Sequence, residues 1–155
     1  MLELTGEERF IEELGLFMET FGFSRIAGRV LGLLLMSGSP LHLDQIASRL
    51  KVSRASVSTN TRLLVTVQLI REEAIPGDRR TWFVVRPDAF QARIRFIISQ
   101  LRVLSFILEK GREVAPPERP LARERLQDAV EFHEFMASEM EELSRKWESR
   151  SKEAS

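Results

Sequence analysis

Four arginines, Arg54, Arg62, Arg79 and Arg80, stand among short hydroxyl and turn-forming side chains rather than among glutamates. A guanidinium is a planar fork of donors that fits a phosphate or the edge of guanine, so the chemistry on offer is recognition of anions and bases. Ser53, Ala55, Ser56, Ser58 and Thr59 surround the first two arginines, and Gly77 and Asp78 precede the second two. Small side chains let a helix sit deep in the ~12 Å major groove of a duplex. Bond-making chemistry is not expected. The sequence has no glycine-rich phosphate loop, no cysteine nucleophile and no nucleophile-elbow motif. Its glutamates fall on amphipathic helices, where salt-bridged solvent faces account for them. Two isolated histidines, His42 and His133, make no metal site, so neither metal nor cofactor is expected.

The 23 Lys and Arg balance 23 Asp and Glu over 155 residues, but the zero sum conceals a division. Residues 1–23 carry a net charge of −5, residues 49–95 a net of +6, and residues 109–155 a net of −3. Phosphate binding follows local cationic surface rather than the whole-chain sum, and all four arginines lie in the basic block. Without cysteine there is no disulfide, thiol sensor or cysteine-built zinc site. The longest uncharged apolar run, Val30 to Leu43, is shorter than the ~20 residues that cross a bilayer. Met1 to Glu13 is acidic where a secretory leader is basic, so a cytoplasmic location with no membrane partner is expected.

The elements that must position these side chains follow from periodicity. Phe10, Leu14, Phe17 and Phe21 recur at helical spacing over residues 6–22, with Ile11 and Met18 widening the stripe. Ser24 can cap a second helix through Met36 whose leucines predict burial nearly all round, and Ser37-Gly38-Ser39-Pro40 ends it. Two short helices, about 43–50 and 53–69, are separated only by Lys51 and Val52. Ile46, Leu50 and Val52 supply an apolar seam between them, Val57 and Leu64 face inward, and Ala55, Thr59, Arg62 and Thr66 face outward. Arg54 lies nearer the inward side and suits a phosphate better than a base. Residues 71–75 and 80–85 read as a β-hairpin around Pro76-Gly77-Asp78-Arg79. In it Asp78 can hold an arginine, and Arg79 or Arg80 would project from the tip toward a minor groove. Pro87 and Asp88 open a long helix to about Lys110, and a last helix follows the prolines at 116, 117 and 120. His42 reads as a loop residue.

Taken together, Leu43 to Leu50 with Val52, Ser53, Ser56 and Val57, the segment Leu63 to Glu72, and the tip Gly77-Asp78-Arg79-Arg80 resemble the MarR superfamily of winged helix-turn-helix regulators. Gly22 to Arg29 is similar to the segment preceding the second helix of its GbsR-like branch. The resemblance implies a homodimer on a near-palindromic operator in double-stranded DNA, usually a repressor and often relieved by a small-molecule effector. Two positions depart from the pattern. Lys51 occupies the turn where glycine or asparagine is common, and Gln68 stands where glycine often ends the recognition helix, a departure able to lengthen or redirect it.

The expected architecture is mostly α with a small β-hairpin wing. It divides into an N-terminal dimerisation helix (1–23), a winged helix-turn-helix (24–86) and a C-terminal helical dimerisation region (87–155). Leu126, Ala129, His133, Met136, Met140, Leu143 and Trp147 form a heptad seam, broadened by Phe132 and Phe135. Phe10, Leu14 and Phe17 are expected to join that seam in the dimer interface. His133 reads as a core histidine with one satisfied partner rather than a sensor. The competing class is a winged-helix protein–protein interaction module without DNA affinity. Such a module has no need of arginines on both the groove-facing helix and the wing.

Overall fold

A computed structural model describes residues 4–153. Six helices and three short strands follow in the order α1 (Gly6–Glu19), α2 (Arg25–Met36), β1 (Leu41–His42), α3 (Leu43–Leu50), α4 (Arg54–Thr66), β2 (Ile70–Glu73), β3 (Trp82–Val85), α5 (Ala89–Val114) and α6 (Pro120–Glu153). Among the described residues, no helix is long and apolar enough to cross a membrane. The chain divides into two compact units, Met1–Ala89 and Phe90–Ser155.

In the first unit α1, α2 and α4 each begin where a hydroxyl satisfies a free amide. Thr5 caps α1 in a reciprocal box with Glu8, Ser24 accepts from the Ala27 amide, and Ser53 accepts from the Ser56 amide. The buried core joins Ile11 and Met18 of α1, Ala27, Val30, Leu33 and Leu34 of α2, Ile46 and Leu50 of α3, Val57 and Leu64 of α4, and Ile70 and Phe83 of the sheet. The inward assignments of Ile46, Leu50, Val57 and Leu64 therefore hold. The apolar stripe predicted for α1 divides in two. Its buried face is Ile11, Gly15 and Met18, while Phe10, Phe17 and Phe21 are exposed and Leu14 is only half-buried. Glycines at 15, 28 and 32 let α1 and α2 approach closely, so small residues rather than phenylalanines define the contact. Leu35 and Met36 are also exposed, so α2 is not buried all round.

The sheet has three strands in the order β1-β3-β2, all antiparallel. Its register pairs Leu41 with Phe83, His42 with Trp82, Ile70 with Val85 and Glu73 with Trp82. The strand β1 is absent from the sequence reading, because two residues carry no alternating pattern. His42, expected in a loop, is a buried strand residue that also precedes the first turn of α3.

In the second unit α5 and α6 run antiparallel, linked by Arg102–Glu141 at 2.7 Å, Arg95–Glu148 at 3.4 Å and a Ser105 hydroxyl donating to the Val130 carbonyl at 3.3 Å. Val130, Ala137 and Ser144 are buried, seven residues apart, with Leu126, His133 and Met140 half-buried four residues before each. This intramolecular seam shares 126, 133 and 140 with the expected one but replaces 129, 136 and 143 by 130, 137 and 144. Small Ala137 and Ser144 permit close packing, and a reading that favours large apolar residues passes over them. The larger side chains Phe132, Phe135, Leu143 and Trp147 form a separate exposed stripe, with Met136 half-buried beside it. His133 donates from Nδ1 to the Ala129 carbonyl at 2.6 Å and packs edge-on against Phe132.

Candidate nucleic-acid interface

The helix α4 is fixed on its inner side by polar as well as apolar contacts. The Ser24 hydroxyl, which caps α2, donates to Asn60 Oδ1, and Asn60 Nδ2 in turn donates to the Ser56 carbonyl at 2.8 Å. Asn60 is buried, and so is Thr61, whose hydroxyl donates to the Val57 carbonyl at 3.0 Å. These bonds set which face of α4 turns outward. That face carries Ala55, Thr59, Arg62 and Thr66, all exposed as expected, with Ser56 and Ser58 half-buried at its flanks. Thr59 and Thr66 donate to carbonyls four residues back, so in this state they present methyl groups and lone pairs rather than free donors. Ser53 accepts from the Ser56 amide and keeps its own hydroxyl proton for an outside acceptor. Arg62 donates from Nε to the Ser58 carbonyl at 3.2 Å and from Nη2 to the Ser58 hydroxyl at 3.5 Å, and its other donors have no partner among the described residues.

Arg54 and Asp44 form an exposed pair, Nε to Oδ1 at 2.9 Å, that joins the first turns of α4 and α3. Exposed pairs of this kind contribute little to stability, so Arg54 can exchange its partner for a phosphate at small cost.

The wing separates its two arginines. Asp78 accepts from the Arg80 backbone amide at 2.9 Å and from Arg80 Nε at 3.0 Å by each carboxylate oxygen. The Arg80 guanidinium lies 5.1 Å from the centre of the Trp82 ring, and its Nη1 is 3.0 Å from Nε2 of His42. The guanidinium hydrogen bond, aided by the backbone amide, pulls the Asp78 carboxyl down to about 2, and the same carboxylate raises Arg80 further above its ordinary range. Asp78 thus holds an arginine, as the sequence indicates. That arginine is Arg80, which is pinned at the base of the loop instead of projecting from it. Arg79 is exposed and makes no hydrogen bond or ion pair with any described residue, which leaves it as the cation at the tip. Gly77 has φ +84°, a left-handed conformation in which a side chain is strained.

Arg54, Arg79 and Arg80 nevertheless meet. With His42, Leu43, Asp44 and Thr81 they line one cleft of about 250 Å³ where α3, α4 and the wing come together. His42 is the contributor that the sequence reading misses. Its only signal is that it stands directly before the helix-turn-helix. Arg86 is another, donating to Gln68 at 2.9 Å and pairing with Asp88 at 3.0 Å, so that the end of β3 is tied to the end of α4.

Gln68 neither lengthens nor redirects α4. The helix ends at Thr66, and Gln68 itself takes the left-handed conformation with φ 66°, as Lys51 does at the end of α3 with φ 55°. In each case a following amide closes the turn, Val52 to the Ala47 carbonyl at 3.1 Å and Leu69 to the Leu64 carbonyl at 3.0 Å. Both helices of the motif therefore end in the geometry that glycine ordinarily serves.

Comparison with known proteins agrees with this architecture. Residues 21–81 match a MarR family model, and residues 88–150 match the model for MmpR5-like MarR family transcriptional regulators. The HTH-type transcriptional regulator MmpR5 of Mycobacterium tuberculosis is 33% identical over 134 residues, covering 84% of this chain and 81% of its own length. The HTH-type transcriptional repressor OpcR of Bacillus subtilis is 28% identical over 57% of this chain and 48% of its own. A crystal structure of a transcriptional regulator superposes with a TM-score of 0.86 at 30% identity, covering 94% of this chain and 99% of that one. The GbsR-like branch suggested by residues 22–29 gains no support from these matches. The relatives are regulators of transcription rather than enzymes, and the chain belongs to the MarR family of winged helix-turn-helix transcriptional regulators.

Proposed function

We propose that this chain is a sequence-specific repressor that binds double-stranded DNA as a homodimer on a near-palindromic operator. The observation that carries the reading is the convergence of Arg54, Arg79 and Arg80 on one cleft beside the exposed face of α4. In this mechanism α4 lies in the major groove, with Ala55, Thr59 and Arg62 toward base edges and Ser53 and Arg54 on phosphate. Ser56 and Ser58 flank that contact. Arg79 enters the adjacent minor groove, whose negative potential favours guanidinium. OpcR, a relative, is a repressor, which supports repression here.

Pairing is supported by the apolar surface each unit leaves uncovered. Phe10, Phe17 and Phe21 of α1 and Phe132, Phe135, Leu143 and Trp147 of α6 are all exposed, and clustered apolar surface of this kind suits a protein–protein interface. Two recognition helices held one helical turn apart then reach successive major grooves. An effector that relieves repression would act by favouring a half-site spacing that B-DNA does not match.

The test is binding of fragmented genomic DNA at several salt concentrations. DNA binding predicts an affinity falling linearly on logarithmic axes with a slope near −0.9 per phosphate neutralised. A flat response would overturn the reading in favour of a protein-interaction module.

A further inference from the structure

We propose that His42 is a positioning residue for the wing. It acts as a neutral imidazole that carries its proton on Nδ1 and receives a hydrogen bond from Arg80 on Nε2. The inference rests on the DNA-binding reading above and deepens it, because the arginine so held is not the one offered to the duplex.

The tautomer follows from donor counting. A guanidinium has five N–H donors and no acceptor, so an Nη1–Nε2 separation of 3.0 Å is a hydrogen bond only if Nε2 brings a lone pair. A neutral ring with a bare Nε2 bears its hydrogen on Nδ1. That nitrogen is buried without a hydrogen-bond partner and lies 3.8 Å from Asp44 Oδ2, near enough for a favourable electrostatic contact with an N–H but not for a hydrogen bond. The imidazole itself is fixed. Its backbone pairs with Trp82 across the β1–β3 ladder, and its ring meets the Trp82 ring edge-on with centroids 4.9 Å apart. Arg80 therefore has an anion on one side, an aromatic face beneath it and a neutral acceptor anchored in β1.

Two bonded groups result, Arg54–Asp44 at the first turn of the recognition helix and His42–Arg80–Asp78 in the wing, with 3.8 Å between Asp44 and the His42 ring. Together they span α4, α3, β1 and the hairpin loop around one cleft. Holding Arg80 at the base of the loop fixes where the adjacent Arg79 emerges. A positive charge at position 42 would stand against the guanidinium and release it from β1.

Three measurements test this. In the wild type, ring ¹⁵N shifts at pH 8 should show His42 Nδ1 protonated and Nε2 bare. The opposite tautomer would overturn the proposal. His42→Gln keeps a neutral acceptor and should hold DNA affinity within about twofold. His42→Lys should lower affinity about tenfold, the size expected when a charge-assisted hydrogen bond is lost. Hydrogen exchange over residues 74–81 should stay slow in the glutamine variant and quicken in the lysine variant. If glutamine and lysine behave alike in exchange, the acceptor role is wrong. If the wild type shows the expected tautomer and slow wing exchange but binds no DNA at any salt, the DNA reading fails while the clamp on Arg80 stands.

Discussion

Gly28 of α2 lies so close over Gly15 of α1 that a Cβ at position 28 would stand 2.7 Å from the Gly15 Cα and 2.7 Å from the Leu14 carbonyl oxygen. Both obstacles are backbone, so neither can swing aside as a side chain would. Gly28→Ala should destabilise the protein by about 1–3 kcal/mol, since forced overpacking outweighs the ~1 kcal/mol that alanine gains in helix propensity. Gly6→Ala is the control, because nothing lies within 4 Å of a Cβ there. Thermal unfolding should show a lowered midpoint for the first variant only. Equal midpoints would mean that the two helices are not in this contact.

Lys51 and Gln68 adopt the left-handed conformation without being glycine, at a cost of roughly 1 kcal/mol each. Lys51→Gly should relieve most of that cost, less the entropy glycine loses on folding, and raise stability by up to about 1 kcal/mol. Gln68→Gly should gain less, because Gln68 also accepts a hydrogen bond from Arg86 at 2.9 Å. Urea midpoints would rank the two, and the reverse ranking would count against the Gln68–Arg86 contact.

The legibility of this chain tracks how many residues share a signal. The helix-turn-helix was readable because Ile46, Leu50, Val57 and Leu64 repeat an apolar period and Ser53 announces a cap. The outward set Ala55, Thr59 and Arg62 followed from that period alone. Contacts made by one or two residues were not readable. β1 is two residues long, His42 acts through a partner 38 residues away, and the α1–α2 contact rests on glycines that leave no hydrophobic trace. For α6 the large apolar residues were readable and the buried intramolecular face was not, since one helix carries two apolar stripes and the buried one is the smaller in side-chain volume.

Asp78 supplies a pH dependence with a definite sign. Its folded carboxyl is depressed to about 2 by the Arg80 hydrogen bonds, whereas an unfolded aspartate titrates near ~3.9. The stabilisation it provides is therefore complete above that unfolded value and is lost as pH falls toward 2. Because Asp78 and the arginine it holds both lie in the hairpin loop, the effect is read at the wing. Hydrogen exchange over residues 74–81 should be slower in the wild type than in Asp78→Asn at pH 6, and the difference should shrink steadily below pH 4. A difference independent of pH would assign the role of Asp78 to shape rather than charge.

The two wing arginines should fail differently when removed. Arg79 is exposed and unpartnered among the described residues, so Arg79→Ala should leave the unfolding midpoint unchanged. It should weaken DNA binding and reduce the salt slope by about 1, the signature of one lost phosphate contact. Arg80→Ala strips Asp78 of its guanidinium partner and His42 of its donor, so its first consequence is a loosened hairpin. Wing amides should then exchange faster even without DNA, while loss of affinity follows from a misplaced Arg79. The slope for that variant should fall by a similar amount, because the tip no longer brings its charge into the groove. If Arg79→Ala left both affinity and slope unchanged, the tip would have no part in binding, and the duplex would have to be held by α4 alone.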